Sequence, residues 1–438
     1  MAVIGAGWAG CAAAVHLCQQ AQEVYLIEAS RTAGGRARQV HLHGKQLDNG
    51  QHILLGAYSE TLRILQQVGI RRSDVLHNLP LQMIYPENEP GMHFIAPRFP
   101  APLHVLLALW RAKGLSKEDK LALARFSTTA RWMTWRLDQD CSVAELLQRF
   151  GQTEKLCRLM WVPLCIAALN TPPERASAQV FLNVLRDSLG ANRAASDMLI
   201  PKVDLSSLFP RHAITYLEQA GGQAQFAAPV RALYQHADQT WHCQTAQEHI
   251  AAQSFDAVII ATDYTNADRL LKSLPQGAST LPPMTFEPIT TCYLQYDATL
   301  RLPLAMAALI DQPAQQKWGQ YVFDRGQLNA DQAGLIAVVV SASQAASELS
   351  HAILAEQIAR QIAGSFGDSR LATPMWHKII TEKRATFSCS PSLQRPQNAT
   401  GIPGLFLAGD YTAGDYPATL EGAVRSGLAA ARAVLNSR

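Results

Sequence analysis

The sequence of 438 residues lacks the signatures of several protein classes. It contains no run of about eighteen apolar residues, so we expect no transmembrane helix. It begins without a basic segment, an apolar core and a cleavage site, so we expect no secretory signal and a cytoplasmic protein with reduced thiols. None of the eight cysteines forms a Cys-x-x-Cys pair. This argues against a zinc ribbon or a thioredoxin-like motif, and we predict no metal site.

Charged residues are scarce and nearly balanced. They make up 17% of the chain, with 38 Lys and Arg against 35 Asp and Glu, for a net charge of +3. This balance argues against nucleic acid as a partner. Hydrophobic residues reach 48%, which excludes a largely disordered chain, and the length predicts about two to three domains.

The amino-terminal segment carries a dinucleotide-binding fingerprint. The apolar residues Ala2 to Ile4 lead into the turn Gly5-Ala6-Gly7-Trp8-Ala9-Gly10, and a second apolar strand ends at Glu28. In such a turn the first glycine permits the bend, the second lets the backbone approach a pyrophosphate, and the third allows close helix packing. Glu28 is placed to accept hydrogen bonds from the ribose hydroxyls of an adenosine. The alternative is a glycine-rich turn without a ligand.

Two further segments resemble the flavin-containing amine oxidase and phytoene desaturase superfamily. Gly34-Gly35-Arg36 follows Glu28 closely, and its arginine can neutralise phosphate charge. Gly409-Asp410 ends a late strand where that superfamily places an acid on the ribityl chain of FAD. Thr419 and Leu420 then open a helix whose amino terminus, in these flavoenzymes, faces the flavin. The resemblance implies an FAD cofactor.

A closer resemblance extends over essentially the whole chain. Residues 47–58, 163–171, 178–185, 195–205 and 382–387 are similar to the hydroxysqualene dehydroxylases of bacterial hopanoid biosynthesis. The resemblance implies an α/β fold with two domains, in which a Rossmann-like FAD domain carries an inserted substrate domain of helices and sheet. It also implies a reductive reaction that replaces the hydroxyl of hydroxysqualene, a thirty-carbon isoprenoid, with hydrogen to give squalene.

The alternation of helix-like and strand-like sequence patterns along the chain predicts the boundaries of these two domains. The FAD domain is expected in three pieces, 1–80, 205–270 and 395–438. The substrate domain is expected in two pieces, a helical one at 81–204 and one of sheet and helices at 271–394.

The cofactor residues form a large set spread over the three FAD-domain pieces. We predict that FAD contacts Gly5, Gly7, Trp8, Ala9, Gly10, Glu28, Ala29, Gly35, Arg36, Gln51, His52, Val230, Ala261, Gly409, Asp410, Thr419 and Leu420.

A proton donor is needed because hydroxide is a poor leaving group at neutral pH. His52 is the first candidate, since an ordinary histidine titrates near neutrality. A structural histidine beside the cofactor is the alternative. Tyr411 and Tyr416 are further candidate donors, and Arg384 could face the flavin or join the two domains.

A hydrocarbon substrate suggests an apolar pocket in the protein and a surface that binds the membrane. An apolar pocket is expected, and its candidate lining is Trp110, Trp132, Trp135, Met160 and Trp161. The alternative, and the more common use of such residues, is packing in the core. Residues 103–110 are apolar and flanked by Arg98, Arg111 and Lys113, which is typical of a helix at the inner face of a membrane. The alternative is a buried helix. The sequence does not identify the electron donor.

Two other functions remain open from the sequence. A carotenoid desaturase or an amine-oxidase-like enzyme would use oxidised flavin on the same fold, because a hydride can move either way. An isoprenoid-binding escort protein would bind a lipid without catalysis, but it would not need Glu28, Gly34-Gly35-Arg36 and Gly409-Asp410.

Overall fold

The fold contains one parallel sheet built from strands that are far apart in the sequence. A computed structural model describes residues 1–101, 103–274 and 281–437. The five strands of this sheet are all parallel and lie in the order Gln223–Gln225, Tyr25–Ile27, Ala2–Ile4, Val258–Ile260 and Leu405–Leu407. Four of these strands are fully or almost fully buried and lack alternating polar positions, as expected for a sheet covered on both faces. The predicted α/β class with a Rossmann-like sheet is confirmed.

Small residues let two helices pack directly beneath this sheet. Helix Trp8–Gln19 follows the glycine turn, and helix Leu420–Asn436 lies against it. A Cβ atom added to Gly427 would lie 2.1 Å from the carbonyl oxygen of Ala9. The backbones of the two helices therefore approach more closely than any side chain allows, and this contact joins the first and last segments of the chain.

The second large sheet is antiparallel. Its strands lie in the order Met306–Ala308, Tyr321–Asp324, Leu335–Ser341, Phe286–Gln295 and Trp376–Phe387. One face packs on helix His351–Phe366 through a cluster that includes Cys292, Val338 and Ile358. Side chains alternate across a sheet, so the residues between these positions point to the opposite face.

The remaining strands form small sheets around the two large ones. They are the pairs Gln39–Leu42 with Lys45–Asp48, Gln82–Ile84 with His93–Ile95, and Ala232–Gln235 with Trp241–Gln244, and the triplet Leu54–Leu55, Met198–Pro201 and Leu76–Leu79.

The segment between these sheets is mostly helical. The other α-helices of the described ranges are Ser59–Gln67, Arg72–Val75, Leu103–Arg111, Lys117–Trp132, Val143–Arg149, Glu154–Leu156, Val162–Leu169, Ala178–Leu185, Leu205–Leu208, Pro210–Gln219, Glu248–Ala251 and Tyr264–Lys272. None of the helices in these ranges has the length and apolar character needed to span a bilayer.

Strands from all three pieces of the predicted FAD domain meet in the parallel sheet. The antiparallel sheet lies within residues 286–387, inside the predicted substrate segment 271–394. The exact boundaries of the two domains stay a prediction, because the segments are tied together by extensive packing rather than by separate linkers.

Candidate functional site

A large cavity lies where the strands of the parallel sheet end. Its volume is about 680 Å³, and its lining includes residues at or just beyond the ends of four strands: Gly5, Glu28, Ala261 and the pair Gly409-Asp410. Ligands of open α/β sheets bind at this carboxyl edge of the strands. The far wall of the cavity is the free face of the antiparallel sheet. The cavity therefore has one polar end and one apolar end.

The glycine turn fits a pyrophosphate. Gly5 has φ +105°, in the region that favours glycine, and a Cβ on Gly10 would lie 1.9 Å from the carbonyl oxygen of Gly5. By contrast, a Cβ on Gly7 would have only the Cα of Gly35 within reach, at 4.0 Å. Gly10 is thus required by packing, while Gly7 borders the open space of the cavity. This is the division of roles that a bound pyrophosphate demands.

Glu28 is held rigidly at the end of its strand. Its Oε2 accepts a hydrogen bond from the backbone N–H of Ala6 at 2.7 Å, and its Oε1 accepts from the N–H and the hydroxyl of Ser30 at 2.8 and 2.6 Å. Two carboxylate oxygens offer about four acceptor positions. Three of these are occupied, and the one that remains suits a hydroxyl of a ribose.

Arg36 and Asp410 form the ion pair that closes the polar end. The Nη2 of Arg36 lies 2.6 Å from Oδ1 of Asp410, and the two residues are 374 positions apart in the chain. Nη1 of Arg36 also donates to the carbonyl oxygens of Ala385 at 2.8 Å and Arg384 at 3.3 Å. One guanidinium group therefore fixes three chain segments around the cavity.

Helix Leu420–Asn436 begins at the cavity wall. The side chain of Thr419 caps it by accepting a hydrogen bond from the N–H of Gly422 at 3.1 Å, and Thr419, Leu420 and Ala423 line the cavity. The first N–H groups of a helix carry partial positive charge. This end of the helix can stabilise negative charge on a bound group.

The structure brings the predicted cofactor residues together. Sixteen of the seventeen line the cavity, namely Gly5, Gly7, Trp8, Ala9, Glu28, Ala29, Gly35, Arg36, Gln51, His52, Val230, Ala261, Gly409, Asp410, Thr419 and Leu420. The exception is Gly10, which packs behind the turn. Their individual contacts with FAD stay a prediction.

His52 lines the cavity in a form that is poorly suited to donating a proton. Its Nδ1 lies 2.7 Å from the carbonyl oxygen of Gly50. Burial lowers the pKa of His52, the hydrogen bond to Gly50 opposes that shift, and the nearby charge of Arg36 adds to it. A histidine with a lowered pKa is neutral at pH 7. The proposed acid role of His52 stays a prediction that this electrostatic environment does not favour.

The three other candidate catalytic residues lie outside the lining of the cavity. The hydroxyl of Tyr416 donates to Oδ2 of Asp187 at 2.7 Å. Arg384 is exposed and donates to the hydroxyl of Thr265. Tyr411 is buried, and it borders, together with Arg384, a smaller pocket of about 180 Å³ that shares Arg36 and Asp410 with the main cavity. Proximity in sequence to the carboxyl-terminal motif did not bring these side chains to the cavity.

The predicted aromatic pocket is wrong. Trp110 and Trp132 are 73% and 84% exposed, and Trp161 is buried against Phe126 and Phe181. None of these residues, nor Trp135 or Met160, belongs to the cavity lining.

The apolar end of the cavity comes instead from the antiparallel sheet. Tyr321, Phe323, Val339 and Ile289 line it, together with Ala167 and Ala168 of helix Val162–Leu169. Tyr321 pairs with Val339, and Ile289 pairs with Ser341, so these side chains share one face of the sheet. Sequence reasoning missed them, although their alternate spacing, 321 with 323 and 339 with 341, was a visible signal.

Asp48 anchors the loop of residues 49–53, which lies between the polar and apolar ends of the cavity. Its Oδ1 accepts the N–H of Leu205 at 2.8 Å, and its carbonyl oxygen accepts the hydroxyl of Tyr293 at 3.0 Å. Burial raises the pKa of Asp48 to about 7, although the Leu205 hydrogen bond and the charge of Arg325 lower it. The following residues 49–53 line the cavity.

Comparison with known proteins identifies the family. The family model described as flavin containing amine oxidoreductase matches residues 8–435. The chain belongs to this family. It is an FAD-dependent oxidoreductase, as the glycine turn, Glu28 and the carboxyl-terminal motif predicted.

Individual relatives are similar over almost their entire length. The chain is 29% identical to a hydroxysqualene dehydroxylase of Rhodopseudomonas palustris, over 99% of this chain and 97% of the relative. It is 26% identical to that of Zymomonas mobilis, over 99% and 98%. A zeta-carotene desaturase of Synechocystis sp. is 22% identical, over 99% and 97%. The solved cyclohexylamine oxidase of Brevibacterium oxydans has the same fold, with a TM-score of 0.67, 14% identity and coverage of 99% and 98%.

Replacement of Gly7 by valine tests the position of the pyrophosphate. The added Cβ meets only the Cα of Gly35, at an ordinary contact distance of 4.0 Å, so the variant should fold, but its side chain would occupy the volume that the phosphates need. We expect Gly7→Val protein to purify with little or no FAD, as measured by visible absorbance. Gly364→Val, on an exposed face of helix His351–Phe366 with no neighbour near its Cβ, should retain FAD. Full flavin occupancy in folded Gly7→Val protein would contradict this placement.

Replacement of Asp48 by asparagine tests the buried carboxyl. The pKa of an unfolded aspartate is about 3.9, so between about pH 4 and 7 the folded protein holds a proton that the unfolded chain releases. Stability therefore falls as pH rises through that window. Asparagine still accepts the Leu205 N–H but cannot ionise. We expect Asp48→Asn to match the parent protein near pH 4 and to exceed it in stability above pH 7.

Urea denaturation at a series of pH values measures this difference. The exposed Asp331→Asn variant serves as the control and should leave the pH dependence unchanged. A stability difference between Asp48→Asn and the parent protein that is the same at pH 4.5 and pH 8 would show that Asp48 does not hold a proton in the folded state.

Proposed function

We propose that the protein catalyses the FAD-dependent reductive dehydroxylation of hydroxysqualene to squalene. The observation that carries this proposal is the end-to-end similarity to relatives named hydroxysqualene dehydroxylase. The shape of the cavity supports it independently. A polar cofactor end that continues into an apolar wall of sheet residues suits a reaction between a charged cofactor and a hydrocarbon chain.

Different residues along the cavity bind the cofactor and the substrate. Arg36 and the glycine turn hold the pyrophosphate, Glu28 the ribose, and Asp410 the ribityl chain. Reduced FAD, when bound, supplies the hydride. The start of helix Leu420–Asn436, which lines the cavity, would stabilise negative charge on the part of the bound cofactor beside it. Tyr321 and Phe323 place aromatic rings along the apolar end, where they bind the isoprenoid and stabilise positive charge that develops when the hydroxyl leaves.

The alternative desaturase function receives less support. The zeta-carotene desaturases are 22–25% identical to this chain, against 26–29% for the hydroxysqualene dehydroxylases. An escort protein without catalysis would not need the assembled Glu28, Arg36 and Asp410 site.

The direction of electron flow distinguishes the dehydroxylase from the desaturase. We expect the anaerobically reduced protein to regain the absorbance of oxidised flavin when hydroxysqualene is added, because the alcohol accepts the hydride. Squalene added to the oxidised protein should not bleach the flavin. Bleaching by squalene or by a polyene, with no reaction of the alcohol, would support the desaturase instead.

A membrane surface is the proposed source of this water-insoluble substrate. Helix Leu103–Arg111 exposes Leu103, Leu106 and Trp110 along one face, with exposed fractions of 50%, 48% and 73%. Its opposite face buries Leu109 and other residues against the protein. The exposed lysines and arginines nearby are Arg98, Arg111, Lys113 and Lys117. Apolar residues surrounded by basic ones suit the interface of an anionic bilayer.

Replacement of Leu106 and Trp110 by glutamate tests this surface. Both side chains are exposed, so the double variant should fold and keep its flavin spectrum while binding weakly to sedimented liposomes that contain anionic lipid. Leu109 is unsuitable because it is buried. The control is Ile353→Glu, at an exposed apolar position of helix His351–Phe366, which packs on the antiparallel sheet. This variant should bind liposomes like the parent protein. Undiminished binding by the double variant would place the membrane surface elsewhere.

A further inference from the structure

A buried arginine lies behind the loop at the junction of the polar and apolar ends. Arg325 is 3% exposed. Its Nε donates to Oε1 of Gln332 at 2.8 Å, and its Nη1 donates to Oε1 of Gln51 at 3.1 Å and to the carbonyl oxygen of Pro201 at 3.2 Å. Gln332 in turn donates to the carbonyl oxygen of Gln46 at 2.8 Å. The guanidinium group is thus fixed from several sides.

This contact fixes the orientation of the Gln51 amide. A guanidinium group has only donors, so the atom of Gln51 that faces Arg325 must be the oxygen. The amide nitrogen then lies on the other side, where it donates to the carbonyl oxygen of His52 at 3.1 Å. An amide nitrogen carries two N–H groups, and this is its one recorded partner within the described residues. Gln51 therefore keeps a donor for a ligand in the cavity that it lines.

His52 presents a hydrogen-bond acceptor to the cavity, where Gln51 presents a donor, and its orientation is fixed by a similar argument. Its Nδ1 lies 2.7 Å from the carbonyl oxygen of Gly50, and a carbonyl only accepts. Nδ1 must therefore carry the hydrogen. Burial lowers the pKa of His52, so the ring is neutral and its Nε2 has a free lone pair. His52 thus offers an acceptor in the residue next to Gln51, and both residues line the cavity.

We infer that Gln51 and His52 form a recognition pair for the substrate hydroxyl, with Arg325 as the positioning residue that fixes the polarity of the pair. An alcohol is both a donor and an acceptor, so it satisfies Nε2–H of Gln51 and Nε2 of His52 together. A hydrocarbon that fills the cavity satisfies neither and shuts both groups off from water without a partner, which is costly. The pair therefore selects the alcohol over the hydrocarbon product. The inference rests on the proposed function.

Binding to the oxidised holoenzyme tests the pair without turnover. Hydroxysqualene and squalene are titrated separately into the protein with identical vesicles, and the change in flavin absorbance gives the ratio of the two dissociation constants. We expect the parent protein to favour the alcohol. Gln51→Met and His52→Phe should each reduce that preference by roughly 3- to 10-fold, as the loss of one hydrogen bond predicts. Squalene affinity should rise, because each variant removes a polar group that the hydrocarbon leaves without a partner.

Variants of Arg325 separate positioning from a purely structural role. Lysine is also a donor without acceptors, so Arg325→Lys should keep the oxygen of Gln51 turned towards it and preserve the preference. Glutamine can accept as well as donate, so the Gln51 amide can turn over in Arg325→Gln. The preference for the alcohol should then fall as in Gln51→Met, with a raised KM for hydroxysqualene and a smaller change in kcat.

A cavity-lining control completes the experiment. Ile53→Leu alters the same loop without removing a polar atom, so it should change the affinities for alcohol and hydrocarbon together and keep their ratio. Flavin absorbance and thermal stability identify variants that fail to fold. An unchanged ratio in folded Gln51→Met, or equal loss in Arg325→Lys and Arg325→Gln, would overturn the inference. Failure of the parent protein to bind or reduce hydroxysqualene would instead overturn the proposed function.

Discussion

The geometry of the site depends on where one guanidinium group binds. Arg36 forms an ion pair with Asp410 and donates to two backbone carbonyls of the strand Trp376–Phe387. The first segment of the chain, the last segment and the antiparallel sheet are held together at this point. The cavity can exist only when all three are in place, so cofactor binding and the docking of the two sheets are coupled. The close contact of Gly427 with the backbone of Ala9 reinforces the same arrangement.

From this anchor the cavity changes character along its length. Carboxylates, glycines and a helix amino terminus surround the cofactor end, whereas Ile289, Phe323 and Val339 form the far wall. Residues 49–53 lie where the polar end meets the apolar end, and Asp48 and Arg325 hold this loop in place from the side away from the cavity. The substrate is likewise polar at one point and apolar elsewhere, since its single hydroxyl lies on a long hydrocarbon chain. The reacting carbon is then placed where the polar and apolar ends meet.

The sequence predicts the cofactor half of this site well and the substrate half poorly, for physical reasons. The glycine turn, Glu28 and Asp410 follow strands directly, so local spacing determines where they lie in a parallel sheet. The lining residues Tyr321 and Val339 depend on the register between two strands, which the spacing within either strand does not reveal. Trp161 was misplaced because aromatic character does not distinguish a cavity wall from a packed core. Nearness in sequence did not bring Tyr416 into the cavity lining. The roles of Gln51 and Arg325 required knowledge of which atoms face each other.

The most direct test of the central claim is isotope transfer in a single anaerobic turnover. The protein is reduced so that its FAD carries deuterium at N5, and it is mixed at once with hydroxysqualene before the label exchanges with solvent. The account predicts squalene that carries one deuterium, identified by mass spectrometry, with the loss of the hydroxyl as water. Squalene without deuterium, or a product with an additional double bond, would contradict it.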